Sequence, residues 1–347
     1  FPRACVSVGG HAAAGPEFAH ARRGRVINNR RTIHRFVGGS RPGRAAPPTI
    51  GSMSDDVAAL LARQGGVAAT AQLLNVLSRS RLDTLIRAGE LIKVWPGVYA
   101  GDEPDRLTRL RGLDLRAGGT VAICLGTAAA AYGFDTEGVI DLHVLNPDGC
   151  QLRASDGLII HRRDGAPLAM VDGRPASTAA WTAVEVARLL RRPRALATLD
   201  AALRTGSCER RQLLAAVTEQ HGRRGIVHVR ELVPYAMAGA ESPMESEARL
   251  VMLDGQLPAP ELQYEIVDYS GRRWRLDFAW PLCKLAVEYD GVDWHSDPVS
   301  FARDRQKRAA LQEMGWTVLS IVSDDVRRRP ADFLRRVRCE LSRSPAA

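Results

Sequence analysis

The sequence predicts an α/β protein of several domains. Its 347 residues exceed the roughly 100–200 expected of one domain. Short strand-like and helical runs interleave from residue 54 onward instead of segregating into halves. The apolar fraction is 45% against 25% charged, the composition of a chain that buries real cores.

Composition also excludes some classes. No stretch of eighteen uninterrupted apolar residues exists; the nearest, 121–134, is broken by Gly126 and Thr127, so a membrane span is not expected. Cys5, Cys124, Cys150, Cys208, Cys283 and Cys339 are scattered without a Cys-x-x-Cys pair or zinc-like His spacing. Reduced thiols in a cytoplasm follow. The net charge of +9 is concentrated in residues 1–52, where nine arginines face the single acidic Glu17. The remainder holds 39 basic and 38 acidic residues. DNA affinity must therefore come from local patches, not from the isoelectric point.

Residues 1–53 lack periodicity and are rich in Gly, Pro, Ala and Arg. They read as a disordered basic extension, with an Arg-rich leader or a nucleic-acid tail as alternatives. Met53-Ser54-Asp55-Asp56 has the look of a start followed by a capped helix.

Over 54–100, Ser54 can cap a helix at 55–64 that ends at Gly65-Gly66. Thr70 can cap a second at 71–77, and Ser80 a third that runs to Ala88 and stops at Gly89. The run 91–100 then makes two β segments around Pro96-Gly97. Three short helices and a hairpin make a winged helix-turn-helix, in which the third helix enters the major groove. Arg79, Arg81 and Arg87 on that helix, with Lys93 on the wing, would contact DNA. Winged helices also dock proteins, so this alternative stays open.

Residues 101–240 read as an α/β connector. Apolar runs at 121–125, 139–145 and 158–161 suggest strands; 178–191, 194–204, 207–220 and 224–238 suggest helices, the first two separated by Arg192-Pro193. His143, His161, His221 and His228 are isolated in sequence and are expected to be surface or satisfied core residues. Dimerisation or partner binding is the expected role.

Residues 241–347 follow the order α-β-β-β-α-β-α. Ser242-Pro243-Met244-Glu245 is a capping box with proline in the first helical position. Strands are expected at 262–268, 273–280 and 284–290, a helix at 299–314, a strand at 316–322 and a last helix at 331–343. Adjacent strands would set Asp277 beside Glu288 among apolar neighbours. Carboxylates so placed repel unless a proton or cation joins them, and hard divalent ions are held by one or two carboxylates plus water.

That order resembles the PD-(D/E)XK nuclease superfamily, and more closely its branch related to the very-short-patch-repair (Vsr) endonuclease. The matching residues are Glu245, Leu276-Asp277-Phe278, Val287-Glu288-Tyr289-Asp290-Gly291, His295, Asp304, Arg308 and Gly315-Trp316-Thr317-Val318-Leu319. The resemblance implies a restriction-endonuclease-like fold and hydrolysis of nucleic-acid phosphodiesters with Mg²⁺ or Mn²⁺. Asp277 and Glu288 would hold the metal, with Glu245 and Asp290 in the catalytic set. His295 would act as general base or acid, and Arg303, Arg305 and Lys307 would steady phosphates. The chain departs from the family in carrying Asp290 where lysine usually stands two residues after the glutamate. Bland alternatives remain: Glu245 completes the capping box, Asp290-Gly291 is a turn, Asp304 and Arg308 pair along one helix face, and His295 packs beside Trp294.

Residues 54–235 resemble AbiEi-type antitoxins of type IV toxin–antitoxin systems, through Gly97-Val98-Tyr99 and the Ser177-Thr178 helix start. This implies promoter DNA binding, with a cognate toxin or a second copy as partner. The alternative to an endonuclease is therefore an AbiEi-like antitoxin or transcriptional regulator with a catalytically inactive nuclease fold.

Overall fold

The structure is a computed structural model and describes residues 53–134, 141–149, 151–162, 165–291 and 298–343. Residues 1–52 and His295 lie outside the described residues. Ser52–Ala347 clusters as one compact unit. Among the described residues no helix is long and apolar enough to cross a membrane.

The first part comprises α1 (Asp55–Arg63), β1 (Val67–Ala69), α2 (Thr70–Leu74), α3 (Arg79–Ala88), β2 (Ile92–Trp95) and β3 (Val98–Ala100). Its strands form an antiparallel sheet in the order β1-β3-β2. Strand β1 was not expected, because three residues are too few for alternation to show. The helices pack through Val57, Leu61, Leu73, Leu82, Leu85 and Leu91, all buried. Three capping expectations are corrected: Ser54 precedes α1 but its side chain makes no cap hydrogen bond. Ser78, not Ser80, caps α3 by accepting from the Arg81 N–H at 3.3 Å. Thr70 does not cap α2; its hydroxyl and its N–H both donate to the Gly97 carbonyl, at 3.1 and 2.8 Å. The threonine thus ties the helix to the β2–β3 turn.

The middle part runs α4 (Arg106–Ala117), α5 (Leu125–Ala131), β4 (Leu142–Leu145), β5 (Leu158–His161), β6 (Leu168–Val171) and β7 (Arg174–Ser177). It continues with α6 (Ala179–Ala187), α7 (Arg192–Arg204), α8 (Arg210–Glu219) and α9 (Ile226–Leu232). The strand expected at 121–125 is only a bridge at Ile123, because the alanines that follow favour helix α5. Proline 193 sits in the first turn of α7, where its missing N–H costs nothing, so it opens that helix. Helices α6 to α9 surround one core that includes Trp181, Leu196, Leu199, Leu213 and Val229.

His143 and His161, isolated in sequence, satisfy each other in the fold as half-buried residues. They stand on the parallel pair β4–β5, two positions out of register, and their rings stack with centroids 5.2 Å apart. His143 Nδ1 and His161 Nε2 are 2.9 Å apart, so one ring must keep an unprotonated nitrogen to accept. Burial holds both imidazoles below their ordinary pKa; the His143 charge adds to this at His161, while Asp141 opposes it at His143. The unfolded chain therefore takes up protons first as pH falls through about 6.5, and stability must drop below that pH and level off above it. Urea midpoints at pH 5.5 and 7.5 should show this drop, and His143→Gln should shrink it. An unchanged pH slope in that variant would dismiss the pair as its source.

The last part comprises α10 (Pro243–Asp254), β8 (Glu261–Val267), β9 (Arg273–Trp280), β10 (Leu285–Tyr289), α11 (Pro298–Glu313), β11 (Thr317–Ile321), α12 (Ser323–Arg327) and α13 (Pro330–Arg343). Only α12 was unforeseen. The sheet order is β11-β10-β9-β8, antiparallel except for β10–β11. A parallel neighbour needs a crossover, and α11 supplies it. Phe278, Val287, Met252, Phe333 and Val337 form one buried cluster; Ala279, Ala286, Leu311 and Trp316 form another. Each large side chain so buried contributes about 1.5–3 kcal/mol.

Helix α10 belongs to two cores. Leu250 packs into the core of α6–α9, while Ala248 and Met252 pack under the last sheet. A helix buried on all sides must bury its polar groups too, so these must be paired. Glu247 has no exposed side-chain surface and meets Arg191 at 3.1 Å, Arg194 at 3.8 Å and Arg327 at 2.6 Å. Arg249 reaches the buried Asp200 at 2.6 Å. Burial alone would raise the Glu247 pKa, but the arginine hydrogen bonds outweigh it and the carboxyl stays below its ordinary value.

Candidate functional site

The site is assembled on β8, β9 and β10. Ladder pairs Leu262↔Phe278 and Tyr264↔Leu276 bracket Gln263 and Asp277. On the other side, Leu285↔Trp280 to Val287↔Phe278 continue to Glu288 opposite Asp277. Gln263, Asp277 and Glu288 thus form one row across three neighbouring strands. Tyr289 N–H donates to Asp277 Oδ2 at 2.9 Å, which fixes that carboxylate against β10.

Glu245 enters from the first turn of α10 and is 7% exposed. The capping box is half as expected: Ser242 Oγ accepts from Glu245 N–H at 3.1 Å, but the Glu245 carboxylate accepts from Glu241 N–H at 2.9 Å. The same Oε2 accepts from Gln263 Nε2 at 2.8 Å. Glu245 therefore serves both the helix start and the row. Gln263 adopts φ +50°, a left-handed backbone that costs a residue with a Cβ about 1–2 kcal/mol.

Lys307 projects from α11 and donates from Nζ to Glu288 Oε2 at 2.5 Å and to the Arg275 carbonyl at 2.5 Å. It lies inside the site, where the sequence placed it as a phosphate contact. Asp290 accepts from Arg308 at 3.1 Å, and Arg308 also donates to Ser320 Oγ at 3.0 Å. Arg308 therefore crosses to Asp290, and the helix-face pairing with Asp304 is replaced. Asp290 also closes β10 by donating its N–H to the Ile321 carbonyl at 2.8 Å.

Burial raises the pKa of all three carboxyls. Glu288 is pushed up to about 7, with Asp277 adding to burial and Lys307 opposing it. Asp277 is raised by burial against the Tyr289 hydrogen bond, Lys307 and the Gln263 amide. Glu245 is raised by burial and by the Asp277 charge, against its hydrogen bonds. Glu245 and Glu288 both feel the Asp277 charge, so the three share one electrostatic site.

Does the set fit a magnesium-class ion? Glu288 Oε1 and Gln263 Oε1 are buried acceptors without a hydrogen-bond partner, and every donor atom is an oxygen, as a hard cation requires. Among the described residues no three His, Cys, Asp or Glu side chains are already gathered to hold a metal. Magnesium does not need three, because it keeps several of its waters. The oxygens present suit such an ion, which Asp277 and Glu288 would hold directly with Glu245 beside them.

A cleft of about 540 Å³ opens onto Asp277 between β9 and α11, and Arg273, Arg275, Arg303 and Lys307 line it. Arg303 is exposed and faces this cleft; Arg305 is exposed on α11 but is not among the lining residues. Arg273 and Arg275 were missed because alternation on β9 explained them as solvent-facing. Gln263 gave no signal, since glutamine in a strand is unremarkable without its register.

In the first part, Arg79 and Lys93 are exposed and Arg81 is half-buried. Arg87 is exposed but donates from Nε to the Asp83 carbonyl of its own helix at 3.1 Å.

Comparison with known proteins bears on the middle of the chain and on most of its length. Residues 121–235 match the family described as the AbiEi antitoxin C-terminal domain. That span runs from α5 to α9 and includes the Ser177-Thr178 helix start. Two curated relatives from Mycobacterium tuberculosis are each 55% identical over 271 residues, covering 78% of this chain and all of the relative. They are the uncharacterized proteins MT2308, of strain CDC 1551 / Oshkosh, and Rv2248, of strain ATCC 25618 / H37Rv. At that identity over the relatives' whole length, the chain belongs to the family of these mycobacterial proteins, and its residues 121–235 are similar to the AbiEi antitoxin C-terminal domain.

Proposed function

We propose that this protein is an AbiEi-type antitoxin or transcriptional regulator that binds DNA through residues 54–100. The observation that carries the reading is the AbiEi match over 121–235, placed directly behind three short helices and an antiparallel hairpin that present Arg79 and Lys93 to solvent. A winged helix-turn-helix reads DNA with its third helix, here α3. The family also suggests a cognate toxin as partner. Each phosphate contact contributes about 0.9 to the slope of log affinity against log salt on duplex DNA. Arg79→Ala with Lys93→Ala should therefore lower the slope by about 2, read by fluorescence anisotropy on promoter-length duplex. Unaltered affinity and slope would make the module a protein-docking one.

A second reading is favoured by the row Gln263–Asp277–Glu288 and its two partnerless oxygens. In it, residues 241–347 are a Vsr-like, magnesium-dependent endonuclease. A Mg²⁺ or Mn²⁺ ion at Asp277 and Glu288 would polarise a phosphate and acidify a water. Lys307, held on Glu288, offers the ammonium that the chain lacks at Asp290, and can offset charge and orient that water. Arg303 and Arg273 would receive flanking phosphates in the cleft. Nicking of supercoiled plasmid with Mg²⁺ and none with EDTA is the expected result; no cleavage of duplex or single-stranded DNA under either ion would leave the regulator reading alone.

A further inference from the structure

The least economical residue of the site is Gln263. It holds a left-handed backbone at φ +50° in the middle of a strand, where an L-residue is strained. Strain of this kind persists only where surrounding structure enforces it, and it concentrates at functional positions. The side chain shows what the strain achieves. Its Nε2 donates to Glu245 Oε2 at 2.8 Å, which settles the amide orientation, because a carboxylate can only accept. Its Oε1 is then an acceptor, buried and without a donor. Across the strands stand Asp277 and then Glu288, whose Oε1 is a second buried acceptor without a donor. Two stranded acceptors flanking a carboxylate ask for a cation or its water, not for another oxygen.

Resting on the cation site of the second reading above, we propose that Gln263 is a positioning residue of that site. Its N–H fixes Glu245 and also favours the Asp277 carboxylate, and its buried, partnerless Oε1 would accept from a water bound to the cation. The charges support a neutral donor there. Glu245, Asp277 and Glu288 supply three negative charges, and Lys307 with one divalent ion supplies three positive. A fourth carboxylate would upset that balance, whereas an amide adds an oxygen without charge.

The test is Mn²⁺ binding by the full chain, read from the electron paramagnetic resonance signal of free Mn²⁺, beside urea unfolding. Wild type should bind, and Asp277→Asn should remove binding. Gln263→Gly relieves the backbone, so its urea midpoint should match or exceed wild type. Its Mn²⁺ affinity should nevertheless fall about 10–100-fold, as for other groups that orient ligands. Gln263→Asn also tolerates positive φ but is one methylene too short, and should weaken binding likewise. Wild-type Mn²⁺ affinity in either Gln263 variant, with binding lost in Asp277→Asn, would overturn the role of Gln263 and leave the cation site standing. No Mn²⁺ binding by wild type would overturn both.

Discussion

Glu247→Ala is expected to destabilise the protein by about 3–5 kcal/mol, the cost of breaking a buried ion pair from one side. The carboxylate is wholly buried and touches Arg191 of the segment before α7, Arg194 of α7 and Arg327 of α12. Arg194 is itself 4% exposed. Without Glu247 the three guanidinium groups would lose the carboxylate they share, and Arg194 is too buried to turn to water instead. Glu247→Gln keeps some hydrogen bonds and should cost less. Arg328→Ala is the contrast: its pair with Asp324 is exposed, with side chains 78% and 51% accessible, and such pairs are worth about 0–1 kcal/mol. Urea unfolding of the three variants checks the ranking. A loss below 1 kcal/mol in Glu247→Ala would mean that α10 is not secured by this cluster.

Asp277→Asn is expected to abolish Mg²⁺-dependent nicking while leaving the fold intact. The substitution keeps the shape and an oxygen to accept from Tyr289 N–H, so β9 and β10 stay joined. It removes the central charge of the row, which acts on both Glu245 and Glu288. Residues that merely hydrogen-bond to a ligand cost about 10–100-fold in metal affinity or activity, and a direct ligand should exceed that. The decisive measurement is the nicking rate of Asp277→Asn against wild type at equal urea midpoint. A rate within tenfold of wild type would remove Asp277 from the chemistry and, with it, the endonuclease reading.

Much of the last part was legible because its signals are local. The alternating run 273–280 became β9 at those bounds, and Ser242-Pro243 opened α10 as expected. Element β10 followed from a short β-branched run closed by Asp290-Gly291. The middle part was less legible. Its alanine-rich segment at 121–131 could be strand or helix by hydropathy alone, and only the packing of α5 decided it. The hairpin β6–β7 (Leu168–Ser177) was hidden because Pro175 weakens the strand signal that its edge position tolerates.

From the sequence alone came the α/β class, the order of elements after residue 241 apart from α12, the AbiEi resemblance that the match at 121–235 now carries, and Asp277 with Glu288 as neighbours. Those follow from periodicity, caps and turns, which act over a few residues. Tertiary structure decided what depends on register and on contacts far apart in the chain. It set Gln263 opposite Asp277, turned Lys307 into Glu288 and Arg308 onto Asp290, stacked His143 on His161, and put Glu247 among arginines up to 80 residues away. A long side chain on a helix can reach several partners, and only the position of the neighbouring sheet selects one.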